Sequence, residues 1–190
     1  MKYYSEHSQE YIENTKDANM KNLYSFFERY IPSNAQKIMD LGFGSGRDSL
    51  YFKSKGYEVL SIDPTLEFCE YGKSIGLNVE CKKAEEIDYI NVFDGIWACA
   101  SLLHVDSNNL KDVFKRCFRS LTKDGVMYCS FKYGTFEGIR NERHFVDVNE
   151  ETIKEYIEKT GFKIVEILIT YDVRPNREDK WLNVVLTKNE

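Results

Sequence analysis

Three glycines, Gly42, Gly44 and Gly46, alternate with other residues in "DLGFGSGRDS", directly after a short apolar run. Glycine lets the backbone take positive φ angles and lets a ligand reach the main chain without meeting a Cβ atom. A turn of this kind, at the carboxyl end of a parallel strand, is where open α/β sheets bind ligands. A phosphate-cradling G-x-x-x-x-G-K-S/T loop would need a lysine that the stretch lacks. A G-x-G-x-x-G dinucleotide fingerprint would need glycine at position 47, where Arg47 stands with Asp48 beside it. Those two side chains fit a pyrophosphate poorly. Asp63, seventeen residues past Gly46, ends the next strand-like run. A carboxylate there is placed to accept hydrogen bonds from two ribose hydroxyls. Loop and acid together describe a nucleoside site.

Other residues could do chemistry. His104, in "SLLHVD", follows the fourth apolar run and could serve as a base or orient an acceptor. The competing reading is a histidine hydrogen-bonded near a helix start. In "FKYGTFEGIRNERHF", Lys132, Arg140, Arg143 and His144 concentrate positive charge, to which Arg174 and Arg177 can add. Such a cluster could hold a carboxylate or phosphate. It could equally be a solvated loop paired with Glu137, Glu142 and Asp147. The five cysteines are scattered, with no metal-like Cys/His spacing, so no metal is expected. Most lie in apolar runs, as buried reduced thiols would, which favours a cytoplasmic compartment.

The elements that must position these residues follow from periodicity. Residues 5–30 carry helical spacing, read as two helices that stop before Pro32. "QKIMDLG" is then a strand and "RDSLYFKSKG" a helix stopped by Gly56. "YEVLSID" is a strand, and "TLEFCEYGKSIG" a helix with Thr65 at its N-cap. "LNVECKKA" and "VFDGIWACA" are strands, the latter apolar on both faces as a central strand should be. "NNLKDVFKRCFRSLTKDG" is a helix and "GVMYCSFK" a fifth strand. Alternation of this kind means a parallel sheet of right-handed βαβ units. The tail differs. After the helix "NEETIKEYIEKTG", the runs "FKIVEILITYDV" and "WLNVVLTK" are joined only by the short polar linker "RPNRED", so they should pair as an antiparallel hairpin.

Taken together, "DLGFGSG", "SIDPT", "FDGIWACASLLHV", "LTKDGVMYCSFK" and the terminal hairpin resemble class I S-adenosylmethionine-dependent methyltransferases, most of all small bacterial members similar to tellurite-resistance-type enzymes. The resemblance spans about residues 35–190. It implies an α/β, Rossmann-like seven-stranded sheet in the order 3-2-1-4-5-7-6, strand 7 antiparallel, with helices on both faces. It also implies S-adenosylmethionine as cofactor and S-adenosylhomocysteine as product. Gly42, Gly44 and Gly46 would face the methionine portion and ribose. Asp40 and Arg47 would brace the loop or hold the methionine carboxylate and amine. Asp63 would grip the ribose, and Pro64 would pack near the adenine. Ala84 and Glu85 would touch the adenine edge, with Glu86 and Asp88 competing for the role of Glu85. Ala100 and Ser101 would lie along the methionine chain. The stretch after strand five is where this family usually builds its acceptor pocket. Lys132, Tyr133 and Arg143 would therefore contact the acceptor, joined by Tyr11 and Arg174. Phe43 departs from the cysteine or alanine of many members.

A chain of 190 residues suggests one domain, with residues 1–30 as a helical lid and 35–190 as the core. Tyr3, Tyr4 and Tyr11 would line that lid. The N-terminus is too polar for a signal peptide, and no apolar run approaches the length of a membrane span. A net charge of −5 argues against coating nucleic acid through charge alone. The expected function is methyl transfer to a small, anionic acceptor in the cytoplasm. Two alternatives stay open: a tRNA or other nucleic-acid methyltransferase, and a non-catalytic S-adenosylmethionine-binding protein. The sequence leaves the acceptor and the oligomeric state unnamed.

Overall fold

A computed structural model describes residues 2–174 and 177–188. The apolar run before the glycines is strand β1 (Lys37–Leu41), and alternation carries on through α4 (Arg47–Ser54), β2 (Glu58–Asp63), α5 (Leu66–Ser74), β3 (Asn78–Cys81), β4 (Phe93–Ala98), α6 (Ser107–Ser120) and β5 (Leu121–Lys132). Here α1 (Lys2–Glu6), α2 (Ser8–Thr15) and α3 (Lys21–Glu28) precede the sheet. After it come β6 (Glu137–Arg140), β7 (Arg143–Val146), α7 (Glu150–Ile157), β8 (Lys163–Tyr171) and β9 (Lys180–Thr187).

The seven-stranded sheet runs β3-β2-β1-β4-β5-β9-β8. β1 to β5 pair in parallel, and β9 is antiparallel to both β5 and β8. This is the expected order once β6 and β7 are set aside as an insertion that forms its own two-stranded sheet. Successive strand residues point to opposite faces, and the core divides accordingly. Met39, Ile96 and Met127 pack with α6 and α7 through Leu110, Phe114 and Ile153. Their neighbours Ile38, Trp97 and Tyr128 pack on the other face with Phe26 and Phe27 of α3 and Phe52 of α4. Trp97 and Tyr128 stack at 4.0 Å between centroids. A central strand buried on both faces explains why "FDGIWACA" shows no alternation.

Several expectations need correction. The N-terminal stretch holds three helices rather than two, because His7 breaks the first and bonds back through Nδ1 to the Tyr3 carbonyl (3.0 Å). The helix expected through "LTKDG" ends at Ser120, where Leu121 turns extended (ψ 144°) and pairs with Phe93. Thr65 occupies the N-cap position of α5 but its side chain makes no cap bond to the helix. "FKYGTFEGIRNERHF" is not a plain loop, since β6 and β7 pair from Arg140↔Arg143 outward. Asn141 and Glu142 turn them with φ of 47° and 62°, the left-handed pair that a two-residue hairpin turn requires. Cys69, Cys117 and Cys129 are buried free thiols as expected, whereas Cys81 is exposed and Cys99 half-buried. In the linker "RPNRED", Pro175 and Asn176 lie outside the described residues.

Candidate functional site

The glycine turn closes over the end of β1. Gly42 and Gly44 have φ of 83° and 51°. A Cβ at Gly42 would stand 2.2 Å from Ser101 Cβ, and one at Gly44 would stand 3.0 Å from the Tyr11 ring. So the bare backbone admits the β4–α6 loop on one side and helix α2 on the other. Ser101 fastens that approach by donating from Oγ to the Leu41 carbonyl (2.6 Å).

A cavity of about 270 Å³ opens beside this turn, across the carboxyl ends of β1 to β4. Of the residues singled out in the sequence it gathers Tyr11, Gly42, Gly44, Asp63, Pro64, Ala84, Glu85, Ala100, Ser101, His104 and Arg143, together with Tyr4, Glu142 and His144. Asp63 is 5% exposed, and both of its oxygens are held. Oδ1 accepts from the Thr65 N–H (2.9 Å) and Oδ2 from the Gly44 N–H (3.3 Å). The carboxylate lines the cavity beside the turn. Burial raises the Asp63 pKa, opposed by the Thr65 and Gly44 hydrogen bonds.

Six expected residues stand apart from this cavity. Asp40 lies beneath the turn and accepts from Ser49 Oγ (2.6 Å). Burial, then the nearby Asp48 charge, pushes its pKa up to about 8. Gly46 starts α4 in the left-handed region (φ 76°). Arg47 turns away to clamp Asp48 at 2.7 and 2.8 Å and to donate to the Thr15 carbonyl. Asp48 also accepts from Tyr24 Oη (2.5 Å) and Trp97 Nε1 (2.9 Å). Burial works against its charge, but Arg47 and these hydrogen bonds outweigh it and hold the pKa below the ordinary value. Lys132 pairs with Asp179 (2.6 Å), and Tyr133 donates to Glu150 (2.8 Å). Arg174 is gripped by Asp172 (2.6 Å). Arg47 and Arg174 do line a second, smaller cavity of about 110 Å³, which shares Tyr11 and Ala100 with the first.

At the far wall, His104 Nδ1 lies 2.7 Å from the His144 carbonyl. A carbonyl only accepts, so Nδ1 carries the proton and Nε2 is the acceptor. Tyr4 Oη donates to that Nε2 at 2.7 Å. Burial foremost, aided by the Arg143 charge, pushes the His104 pKa down to about 4. Arg143 Nη1 donates to the same Tyr4 oxygen at 3.3 Å, and its Nε is buried without a partner. Lys82, Lys83 and Thr65 also line the cavity, although the sequence suggested no role for the lysines and only an N-cap for Thr65. Their signal was adjacency: Thr65 follows Pro64, and the lysines precede Ala84 after β3. Among the described residues no cluster could hold a metal, and no helix is long and apolar enough to cross a membrane.

The profile of a family described as "Methyltransferase domain" matches residues 39–129. An "Uncharacterized methyltransferase" of Staphylococcus carnosus is 26% identical over 174 residues, 85% of this chain and 84% of its own. Among solved structures, the 1,6-didemethyltoxoflavin-N1-methyltransferase of Burkholderia thailandensis, with its acceptor and S-adenosylhomocysteine bound, superposes with a TM-score of 0.78 at 19% identity, covering 100% of this chain and 85% of that one. A S-adenosylmethionine-dependent methyltransferase of Clostridium acetobutylicum does so at 0.75 and 17%, covering 98% and 99%. The [4+2]-cyclase SpnF reaches 0.76 at 13%, covering 99% and 94%. The profile falls on β1 to β5, the part of the sheet that shapes the cavity, so the chain is similar to methyltransferases over that stretch and shares the fold of S-adenosylmethionine-dependent methyltransferases.

Proposed function

We propose that this chain transfers a methyl group from S-adenosylmethionine to a small, anionic acceptor. Two features support the cofactor reading: the glycine turn lines the cavity with main chain at Gly42 and Gly44, and the Asp63 carboxylate lines it beside that turn. When bound, the cofactor supplies an electrophilic sulfonium methyl. Gly42 and Gly44 would hold its methionine portion, Asp63 its ribose, and Pro64, Ala84 and Glu85 its adenine. The residues of α1 and α2 then act as a lid: Tyr4 and Tyr11 pack with Phe68 of α5 in an aromatic cluster with centroids 5.3–5.9 Å apart, which excludes water from the reacting atoms. Catalysis of this kind needs alignment before it needs a base.

One observation carries the anionic acceptor. Lys132, Arg140 and Arg174 are each neutralised by an aspartate. Arg143 lines the cavity with no carboxylate partner among the described residues, stacked near Tyr3 (4.7 Å) and Phe145 (5.1 Å). A guanidinium left in that position is short of one negative charge. The same ion pairs weigh against the nucleic-acid reading, because they spend most of the basic cluster internally. The test is a screen of small acids and phenols for uptake of labelled methyl. Arg143→Met should raise KM for the responsive acceptor at least about tenfold, the loss of one charge-assisted hydrogen bond. Label transfer to tRNA alone would overturn the reading.

SpnF supports keeping a second reading, since that neighbour's described activity is cyclisation on the same fold. Binding of S-adenosylhomocysteine with no methyl transfer to any acceptor in cell extract would favour a binding protein.

A further inference from the structure

Outside the cofactor-facing turn, one group of side chains is built as though to move a proton. The carbonyl of His144 fixes His104 with its hydrogen on Nδ1 and leaves Nε2 open. Tyr4 fills that vacancy, donating its hydroxyl proton to Nε2. A phenol oxygen can donate once and accept twice. Arg143 takes one accepting position, at 3.3 Å. The other is free, and Tyr4, His104 and Arg143 all line the cavity. So the cavity meets an oxygen that can receive a proton while passing its own to a base behind it. Purely structural tyrosines have no need of a base whose tautomer is fixed this way and an arginine whose Nε has no partner.

We infer that Tyr4 relays a proton from the acceptor to His104, and that the acceptor is a small aromatic compound methylated at a weakly acidic O–H or N–H. This rests on the methyl-transfer reading and deepens it: the negative charge that Arg143 awaits develops on the reacting atom itself. The acceptor's O–H or N–H bond breaks and its electron pair stays on the acceptor atom, free to take the methyl. The proton goes to Tyr4 Oη as the original phenol proton goes to His104 Nε2. Tyr4 ends as a neutral phenol, and His104 as an imidazolium that later returns its proton to solvent. The Nδ1–H bond to the His144 carbonyl is kept throughout. Tyr4, Tyr11 and Phe68 line the cavity with aromatic rings, a lining suited to an aromatic acceptor.

Other ionisable groups around the relay include Tyr3 on α1, Tyr11 on α2, His144 on β7, and Asp63 across the cavity. Burial keeps His104 neutral at working pH, hence able to accept. It is a weak base at rest, and the anion formed beside Arg143 restores its basicity while the proton is held.

The test uses 4-nitrophenol, whose ionised form absorbs visibly, added to the full-length protein with S-adenosylhomocysteine. Bound nitrophenol should be at least about tenfold more ionised than free nitrophenol at equal pH, a shift of one pKa unit. Tyr4→Phe and His104→Gln should each restore the free ratio while melting as cooperatively as the wild type by circular dichroism. Arg143→Met should weaken nitrophenol binding. A wild-type ratio equal to that of free nitrophenol, a shift that survives in Tyr4→Phe, or the absence of saturable binding would each overturn the relay. Calorimetric titration with S-adenosylhomocysteine alone separates these outcomes from failure of the methyl-transfer reading, which predicts binding whatever the fate of nitrophenol.

Discussion

The two sides of the glycine turn handle charge in opposite ways. Beneath it, Arg47 and Asp48 form a closed network: every oxygen of Asp48 is met by Arg47, Tyr24 or Trp97. Across the cavity, Arg143 keeps an unpartnered nitrogen and Tyr4 an unused lone pair. The first arrangement neutralises its own charge, and fixes where the turn sits. The second is incomplete until something enters the cavity. Satisfied polar networks position, and unsatisfied ones bind.

Breaking the closed network should cost most. Asp48→Ala strands Arg47 in a buried site, and is expected to cost about 3–5 kcal/mol of stability in urea denaturation. A cost below about 1 kcal/mol would mean that the pair is solvated and does not hold the turn. Gly42→Ala comes next. Its Cβ would meet Ser101 at 2.2 Å in a left-handed backbone, so the turn must shift. A loss of about 1–3 kcal/mol is expected, with weaker binding of S-adenosylhomocysteine.

The open side should show itself in the pH dependence. His104 in the folded chain sits at about 4, against about 6.5 when unfolded. Between those values the unfolded chain binds the extra proton, so stability falls as pH drops from about 6.5 towards 4. On the order of 1–2 kcal/mol should be lost over that window, and His104→Gln should flatten it. Urea midpoints at a series of pH values measure this directly. The smallest effect belongs to Lys132→Met, which opens a partly exposed pair with Asp179. About 0–1 kcal/mol is expected, with acceptor KM unchanged, in contrast to Arg143→Met.

This asymmetry also bears on what the sequence discloses. The parallel α/β class, the terminal hairpin and the cavity floor were legible because they rest on local patterns: alternation of strands with helices, the spacing of Gly42 and Gly44, and an acid ending β2. The strand order followed only from the family resemblance. Which basic residues remain available was not legible, because pairing is set by tertiary contact. Lys132 and Asp179 are forty-seven positions apart, and Arg47 and Thr15 thirty-two. Nothing local marks Arg143 as unpartnered where Arg140, three residues earlier, is bound by Asp147. The hairpin of β6 and β7 was missed for a smaller reason: Glu142 stands where glycine would have announced the turn. Tyr4 was placed in a lid, but its partnership with His104, a hundred residues on, exists only in the fold.

The central claim is that the crevice between the glycine turn and Asp63 holds an S-adenosyl ligand. Isothermal titration of the wild-type chain and of Asp63→Ala with S-adenosylhomocysteine tests it most directly. The account predicts saturable one-to-one binding by the wild type, weakened at least about tenfold in the variant by the loss of hydrogen bonds to a charged group, each worth about 1.5–3 kcal/mol. Heatless titration of a folded wild-type chain across several temperatures, or equal affinity in Asp63→Ala, would contradict it.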